Sequence, residues 1–309
     1  MGRVPGILAL NGPTASGKST LAVDAALALA ARGRPAEIVN ADSMLVYRGM
    51  DIGTAKPTPA ERRGVPHHLV DIAEVTQTAS VAEFQRLARA AIAECRTRGV
   101  LPIVVGGSAL YMRAILDEFE FPGTDAAVRA RWEAELARQG PEALHRLLAE
   151  RAPDAAAEIL PGNGRRIVRA LEVVELTGGY APTLPSWTYA LDGVVSYGLE
   201  LPREEMDVRI ERRVEQMWEL GFVDEVRGLI PRGLRQGRTA SMALGYRQIL
   251  DFLDGRCTEA EAKDATIRGT RRFARKQLGW FRRDARIVWR PAGASGLAEE
   301  IADAVAAVP

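Results

Sequence analysis

Short apolar runs closed by small or polar residues recur along the chain, at Ile7 to Leu10, Ala36 to Val39, Val100 to Val105 and Val194 to Leu201. Such short runs predict strands, and the ungapped Val100 to Val105 run is of the kind buried on both faces of a sheet. Between them the apolar positions fall at helical spacing. A helix opens near Ser19 and Thr20 and runs through Leu27; another, over 80–98, puts Val81, Phe84, Leu87, Ala88, Ala91 and Ile92 on one face before Gly99 stops it. Strands alternating with helices predict an α/β fold, a P-loop NTPase-like parallel sheet flanked by helices. From Thr124 to about Thr177 strand character disappears. Ala-rich amphipathic segments at 125–139, 141–151 and 163–177 are punctuated by Pro141, Pro153 and Pro161. A loop with Gly178, Gly179, Pro182 and Pro185 follows, the strand pattern resumes near 194, residues 203–228 and 239–283 are largely helical, and Arg286 to Trp289 reads as a last strand. The economical division is a sheet domain of residues 1–120 and 191–309, with an all-helical insertion over 121–190. Residues 47–57 and 66–72 fit neither period, and irregular segments of that length inside a compact domain are functional or disordered.

Composition changes this picture little. The 309 residues carry 41 Lys and Arg against 40 Asp and Glu, so only a segregation of charge would imply a polyanionic partner. Cys95 and Cys257 are distant and outside any CxxC spacing, which disfavours a disulfide framework and a cysteine-based zinc site. No stretch reaches about 18 apolar residues. A soluble, cytoplasmic, monomeric protein without a membrane partner is expected.

The first run breaks at Gly12 into Pro13-Thr14-Ala15-Ser16-Gly17-Lys18-Ser19. Gly, four residues, then Gly-Lys-Ser between a strand and a helix is a phosphate-binding loop: consecutive amides line one concavity, and the helix aims its unpaired N–H groups at the same anion. Lys18 is the expected charge on a diphosphate and Ser19 the expected hydroxyl ligand of its Mg²⁺. Asp42, at the carboxyl end of the second strand, could hold that metal, orient a nucleophile or accept its proton; it could equally be a turn aspartate. A nucleoside triphosphatase would need a second acidic metal ligand at a strand end. The strand Leu101 to Val105 ends instead in Gly106-Gly107-Ser108. His67, His68 and His145 lack metal-ligand spacing and read as surface or packing residues.

Charge is segregated near the C-terminal end. Arg268, Arg271, Arg272, Arg275, Lys276, Arg282, Arg283, Arg286 and Arg290 face only Asp284 between Ile267 and Arg290. Helical spacing predicts a cationic ridge interleaved with Gln277 and Trp280, as a phosphodiester backbone would require. A diphosphate cradle, a nearby carboxylate and a polyanion-binding ridge favour group transfer from a small diphosphate to a nucleic acid.

With these residues in place the chain resembles the bacterial tRNA dimethylallyltransferases, or tRNA isopentenyltransferases. The resemblance rests on Gly12 to Ser19, Asp42-Ser43, the block Tyr47 to Pro57, Val105 to Tyr111, Arg169 to Glu172 and Gly245 to Gln248, in family order. It implies transfer of a dimethylallyl group from dimethylallyl diphosphate to the N6 amine of the adenosine 3′-adjacent to the anticodon, with Mg²⁺ at the diphosphate. By the same resemblance Asp42 takes the amine proton, Arg213 stands at the diphosphate, although Arg212 is adjacent, and Ser108 lies near the acceptor base. It further implies that Asp42, Ser43, Met44 and Leu45, with Ser108, Arg129, Arg165, Arg166 and Arg169, contact the tRNA anticodon stem-loop. Gly245, Tyr246, Arg247, Arg275, Lys276, Gln277, Trp280 and Arg282 match tRNA-contacting positions as well. An isopentenyltransferase acting on free adenine nucleotides, and a P-loop nucleotide kinase or RNA-dependent ATPase, share parts of this pattern.

Overall fold

The computed structural model describes residues 6–78, 80–119, 121–180 and 187–306, so Pro182 and Pro185 of the predicted loop lie outside the described residues. Strands β1 (Ile7–Asn11), β2 (Ala36–Asn40), β3 (His67–His68), β4 (Leu101–Gly106), β5 (Val194–Glu200) and β6 (Val288–Pro291) form one sheet in the order β3-β2-β4-β1-β5-β6. Every pairing is parallel. Strands β1 and β4 are buried at every position because both faces are covered. The period of two sorts their side chains. Leu8, Leu10, Leu101 and Ile103 pack with the helices Lys18–Ala31 and Leu297–Ala306 on one face. Ala9, Val39 and Val104 pack on the other with the helices Val81–Thr97, Ala109–Leu116, Phe222–Leu229 and Tyr246–Leu253.

The chain separates into one compact unit of residues 1–117 and 189–309 and a second of residues 118–188. The second contains the helices Ala126–Gln139, Pro141–Arg151, Pro153–Glu158 and Gly164–Thr177 around Trp132, Leu144, Leu148, Ile167 and Leu171. Its short helix Pro153–Glu158 was not predicted. Pro153, like Pro141, occupies the first helical turn, where a missing N–H costs nothing, so these prolines start helices rather than interrupt them. Two other differences are small. The 66–72 segment contributes the two-residue β3 at the sheet edge, and the last strand lies two residues beyond the predicted Arg286 to Trp289.

Candidate active site

Parallel sheets bind ligands beyond the carboxyl ends of their strands, and there a cavity of about 800 Å³ opens over β1, β2 and β4. The loop after β1 forms its floor. Ala15 and Gly17 take positive φ, 64° and 85°, which turns the backbone into a concavity that the helix Lys18–Ala31 closes with its N-terminus. Thr14, Lys18 and Ser19 line the cavity. The Thr14 amide donates to Gln277 Oε1 at 2.9 Å and Lys18 Nζ to the Pro13 carbonyl at 3.3 Å. Ser16 Oγ is buried without a partner among the described residues.

Arg213 lines the same cavity from the helix Arg203–Glu219, whereas Arg212 is exposed, so of the two it is Arg213 that reaches the cavity. Two cations crowd this floor. Burial lowers the Lys18 ammonium to about 8; Asp42 raises it and Arg213 lowers it further. Burial also depresses the Arg213 guanidinium. Glu61 acts the other way on Arg213, and an anion in the cavity would offset the desolvation of both cations.

Asp42 serves two ends. Its Oδ1 accepts the Met44 amide at 2.8 Å, the turn-aspartate geometry, and its own amide donates to Asn40 Oδ1 at 2.8 Å. Its Oδ2 accepts no hydrogen bond among the described residues, and Asp42, Ser43, Met44 and Leu45 all line the cavity. Ser108 caps the helix Ala109–Leu116 without using its hydroxyl and also lines the cavity. Both groups are held in place while keeping a free oxygen.

The irregular block 47–57 forms one wall and is pinned from two sides. Buried Lys56 donates to Asp51 Oδ1, Asp71 Oδ1 and the Tyr47 carbonyl at 2.6, 2.5 and 2.8 Å. The Glu225 carboxylate accepts the amides of Asp51, Ile52 and Gly53 and the Tyr246 hydroxyl, the last at 2.6 Å. Gly53 is required there, since a Cβ would stand 2.1 Å from the Phe222 ring. Sequence reasoning missed Glu225, whose role depends on a contact 172 residues away. It also missed the apolar residues Met217, Leu220, Phe222, Met242, Leu244 and Phe273 that line the cavity with the cations. Nothing in their local spacing marks these residues as neighbours.

The predicted ridge needs correction. Gln277 is buried at 6% exposure and belongs to the cavity, where it holds the phosphate loop. Tyr246 is fully buried with its hydroxyl committed to Glu225, so it supports the wall, while Arg247 is exposed beyond it. Acids from other elements, and one at i−4, approach several of the arginines. Arg268 faces Asp264, Arg271 pairs with Glu211, Arg275 lies 3.7 Å from Asp207, and Arg286 pairs with buried Asp117 and with Asp284. Arg282 is only 3.9 Å from Glu200, and Arg272 and Lys276 make no ion pair among the described residues. With Trp280, 42% exposed beneath the Arg283 guanidinium, these leave a narrower cationic face than the sequence implied. Gly245 caps the helix Tyr246–Leu253.

In the second unit Arg129 and Arg169 converge on the fully buried Glu172 at 2.7 and 2.8 Å. Burial works against that carboxylate's charge, and the hydrogen bonds from Arg169, Arg129 and Thr124 outweigh it, holding its pKa low. Those two arginines hold helices together. Arg165 and Arg166 are exposed and unpaired among the described residues.

A family model described as IPP transferase matches residues 45–284. Relatives described as tRNA dimethylallyltransferase include one from Kineococcus radiotolerans, 63% identical over 288 residues, covering 93% of this chain and 90% of its own. Another, from Thermobifida fusca, is 61% identical over 294 residues and covers 95% and 92%. Among solved structures, the tRNA isopentenylpyrophosphate transferase of Bacillus halodurans is 40% identical at a TM-score of 0.71, covering 98% of this chain and 96% of its own. A eukaryotic dimethylallyltransferase acting on tRNA shares the fold at a TM-score of 0.76 and 23% identity, covering 98% and 77%. The α/β architecture, the wall built from the 47–57 block and these matches agree that the chain belongs to the IPP transferase family.

Proposed function

We propose that the chain transfers a dimethylallyl group from dimethylallyl diphosphate to the N6 amine of the adenosine 3′-adjacent to the anticodon of tRNA, releasing diphosphate. One observation carries this reading: Lys18, Arg213 and Asp42 meet in a single cavity that Met217, Leu220, Phe222 and Phe273 also line. The cations and the loop amides suit a diphosphate. The wall of Met217, Leu220, Phe222 and Phe273 suits a branched hydrocarbon, and the volume leaves room for a base.

An allylic carbon leaves its oxygen readily, so stabilising the departing diphosphate supplies much of the acceleration. Lys18, Arg213 and the loop amides do this without reorganising. As the carbon–oxygen bond breaks, the N6 lone pair forms the new carbon–nitrogen bond, and the surplus N6 proton passes to Asp42 Oδ2. Ser108 orients the base through its free hydroxyl. Adenine is stacked in an RNA loop, so it must be extruded to reach Asp42. The Ser19 hydroxyl, a hard oxygen donor that faces the cavity at the phosphate loop, fits Mg²⁺ alongside substrate phosphates. Bound there, Mg²⁺ would neutralise diphosphate charge. The chain is proposed to act as a monomer in the cytoplasm.

The reading is tested with labelled dimethylallyl diphosphate offered to an anticodon stem-loop RNA and to AMP. Label in the RNA is expected; label in AMP alone would overturn it. The cationic face is the proposed path of the RNA backbone. Lys276→Ala combined with Arg282→Ala should weaken stem-loop binding and flatten the slope of log K against log salt by about one per lost phosphate contact. Equal slopes for variant and parent would remove these residues from the interface.

A further inference from the structure

The far end of the sheet holds a cluster that the transfer reaction does not use. Glu37 lies near the start of β2, and the register that pairs Val39 with His68 of β3 turns Glu37 and His68 to the same face. The helix Val81–Thr97 lays Cys95 onto that face. His68 Nε2 is 2.7 Å from Glu37 Oε2, and Cys95 Sγ is 3.5 Å from Glu37 Oε2 and 3.7 Å from His68 Nε2. A thiol, an imidazole and a carboxylate thus bring single donor atoms within 4.8 Å of one another. Cys95 is fully buried, while the Glu37 and His68 side chains keep 12% and 26% of their surface exposed, which leaves an entry path.

We propose that Glu37, His68 and Cys95 form a binding site for a thiophilic divalent cation of the zinc class, with water as fourth ligand, and that Arg98 closes the site when the cation is absent. Tetrahedral zinc with bonds of about 2.0 to 2.3 Å sets neighbouring donors about 3.4 to 3.6 Å apart. The two sulfur separations, 3.5 and 3.7 Å, come within about 0.1 Å of that range. The nitrogen–oxygen separation must open by about 0.7 Å, exchanging one hydrogen bond for two metal bonds. As the sulfur–metal bond forms, the thiol proton leaves to solvent.

Arg98 is the competitor. Its Nη1 and Nη2 donate to the two Glu37 oxygens at 2.8 and 2.7 Å, and Nη2 also lies 3.7 Å from Cys95 Sγ. Its side chain is 43% exposed and has room to turn to water, and the cation must offset the loss of its two-pronged pair with the mostly buried Glu37. A bound cation would take over its charge and tie the two-residue β3 and the helix Val81–Thr97 to β2. The sequence separation of 27 between His68 and Cys95 hides this arrangement from any spacing motif.

The test uses chelator-treated full chain titrated with Zn²⁺ against a chromophoric competitor, and with Co²⁺ read by absorption. Saturation at one equivalent, a sulfur-to-cobalt charge-transfer band and a zinc-dependent rise in melting temperature are expected. Cys95→Ser should lose the band and bind at least about 10-fold more weakly, since a direct ligand matters no less than the outer-shell partners that cost that much, and Arg98→Ala should bind more tightly. His68→Gln carries the same test should Cys95→Ser not fold. Absence of saturable binding, or equal binding by the parent and either ligand variant, would overturn the proposal.

Discussion

Replacing Asp42 with alanine is expected to slow prenyl transfer by about 10²-fold or more while leaving RNA affinity within about twofold, the scale of a lost general base. The structure sharpens how this is to be measured. Asp42 Oδ1 holds the Met44 amide, so alanine removes a turn contact as well as a base. Asp42→Asn separates the two, because the amide oxygen can still accept from Met44 while the side chain can no longer take the proton. Single-turnover rates should therefore fall alike in both variants. An asparagine variant with the parent's rate would leave Asp42 as a turn residue only.

Lys18→Ala is expected to cost about 10²- to 10³-fold in kcat, comparable to removing a principal donor from a preorganised anion site. It also carries a pH signature. Burial holds the Lys18 ammonium at about 8, well below its ordinary 10.5, so in the free enzyme the charge that receives diphosphate is present below about 8 and lost above it. kcat/KM should accordingly fall as pH rises through about 8, and bound diphosphate should move the corresponding limb of kcat to higher pH. Between about 8 and 10.5 the unfolded chain binds the extra proton, so the ligand-free protein should gain stability over that window. A limb near 8 that persists in Lys18→Ala would assign it to another group.

The strand–helix alternation was legible because each element carries its own period. β2 spans the run that alternation picked out, and the helix Val81–Thr97 ends where Gly99 stops it. The short helix Pro153–Glu158 was not legible, since proline reads as a breaker when it stands at a helix start. At the site, the phosphate loop is a continuous stretch with its chemistry in its spacing. Phe222 and Phe273, which line the cavity, and Glu225, which holds its 51–53 wall, are not, because tertiary packing brings them there. The same reason explains the ridge: intrahelical acids are visible at i±4, but Asp207, Glu211 and Glu200 approach from elsewhere. Charge counted along one helix overstates what its surface presents.

The central claim is that the loop from Gly12 to Ser19 cradles a leaving group while the nucleotide arrives as acceptor. The most direct measurement follows diphosphate release and RNA labelling together in one reaction with dimethylallyl diphosphate and stem-loop RNA. One diphosphate released per adenosine prenylated, both lost in Lys18→Ala, is the expected result. Release of orthophosphate from ATP at enzymatic rates, abolished by the same substitution and without RNA labelling, would contradict it.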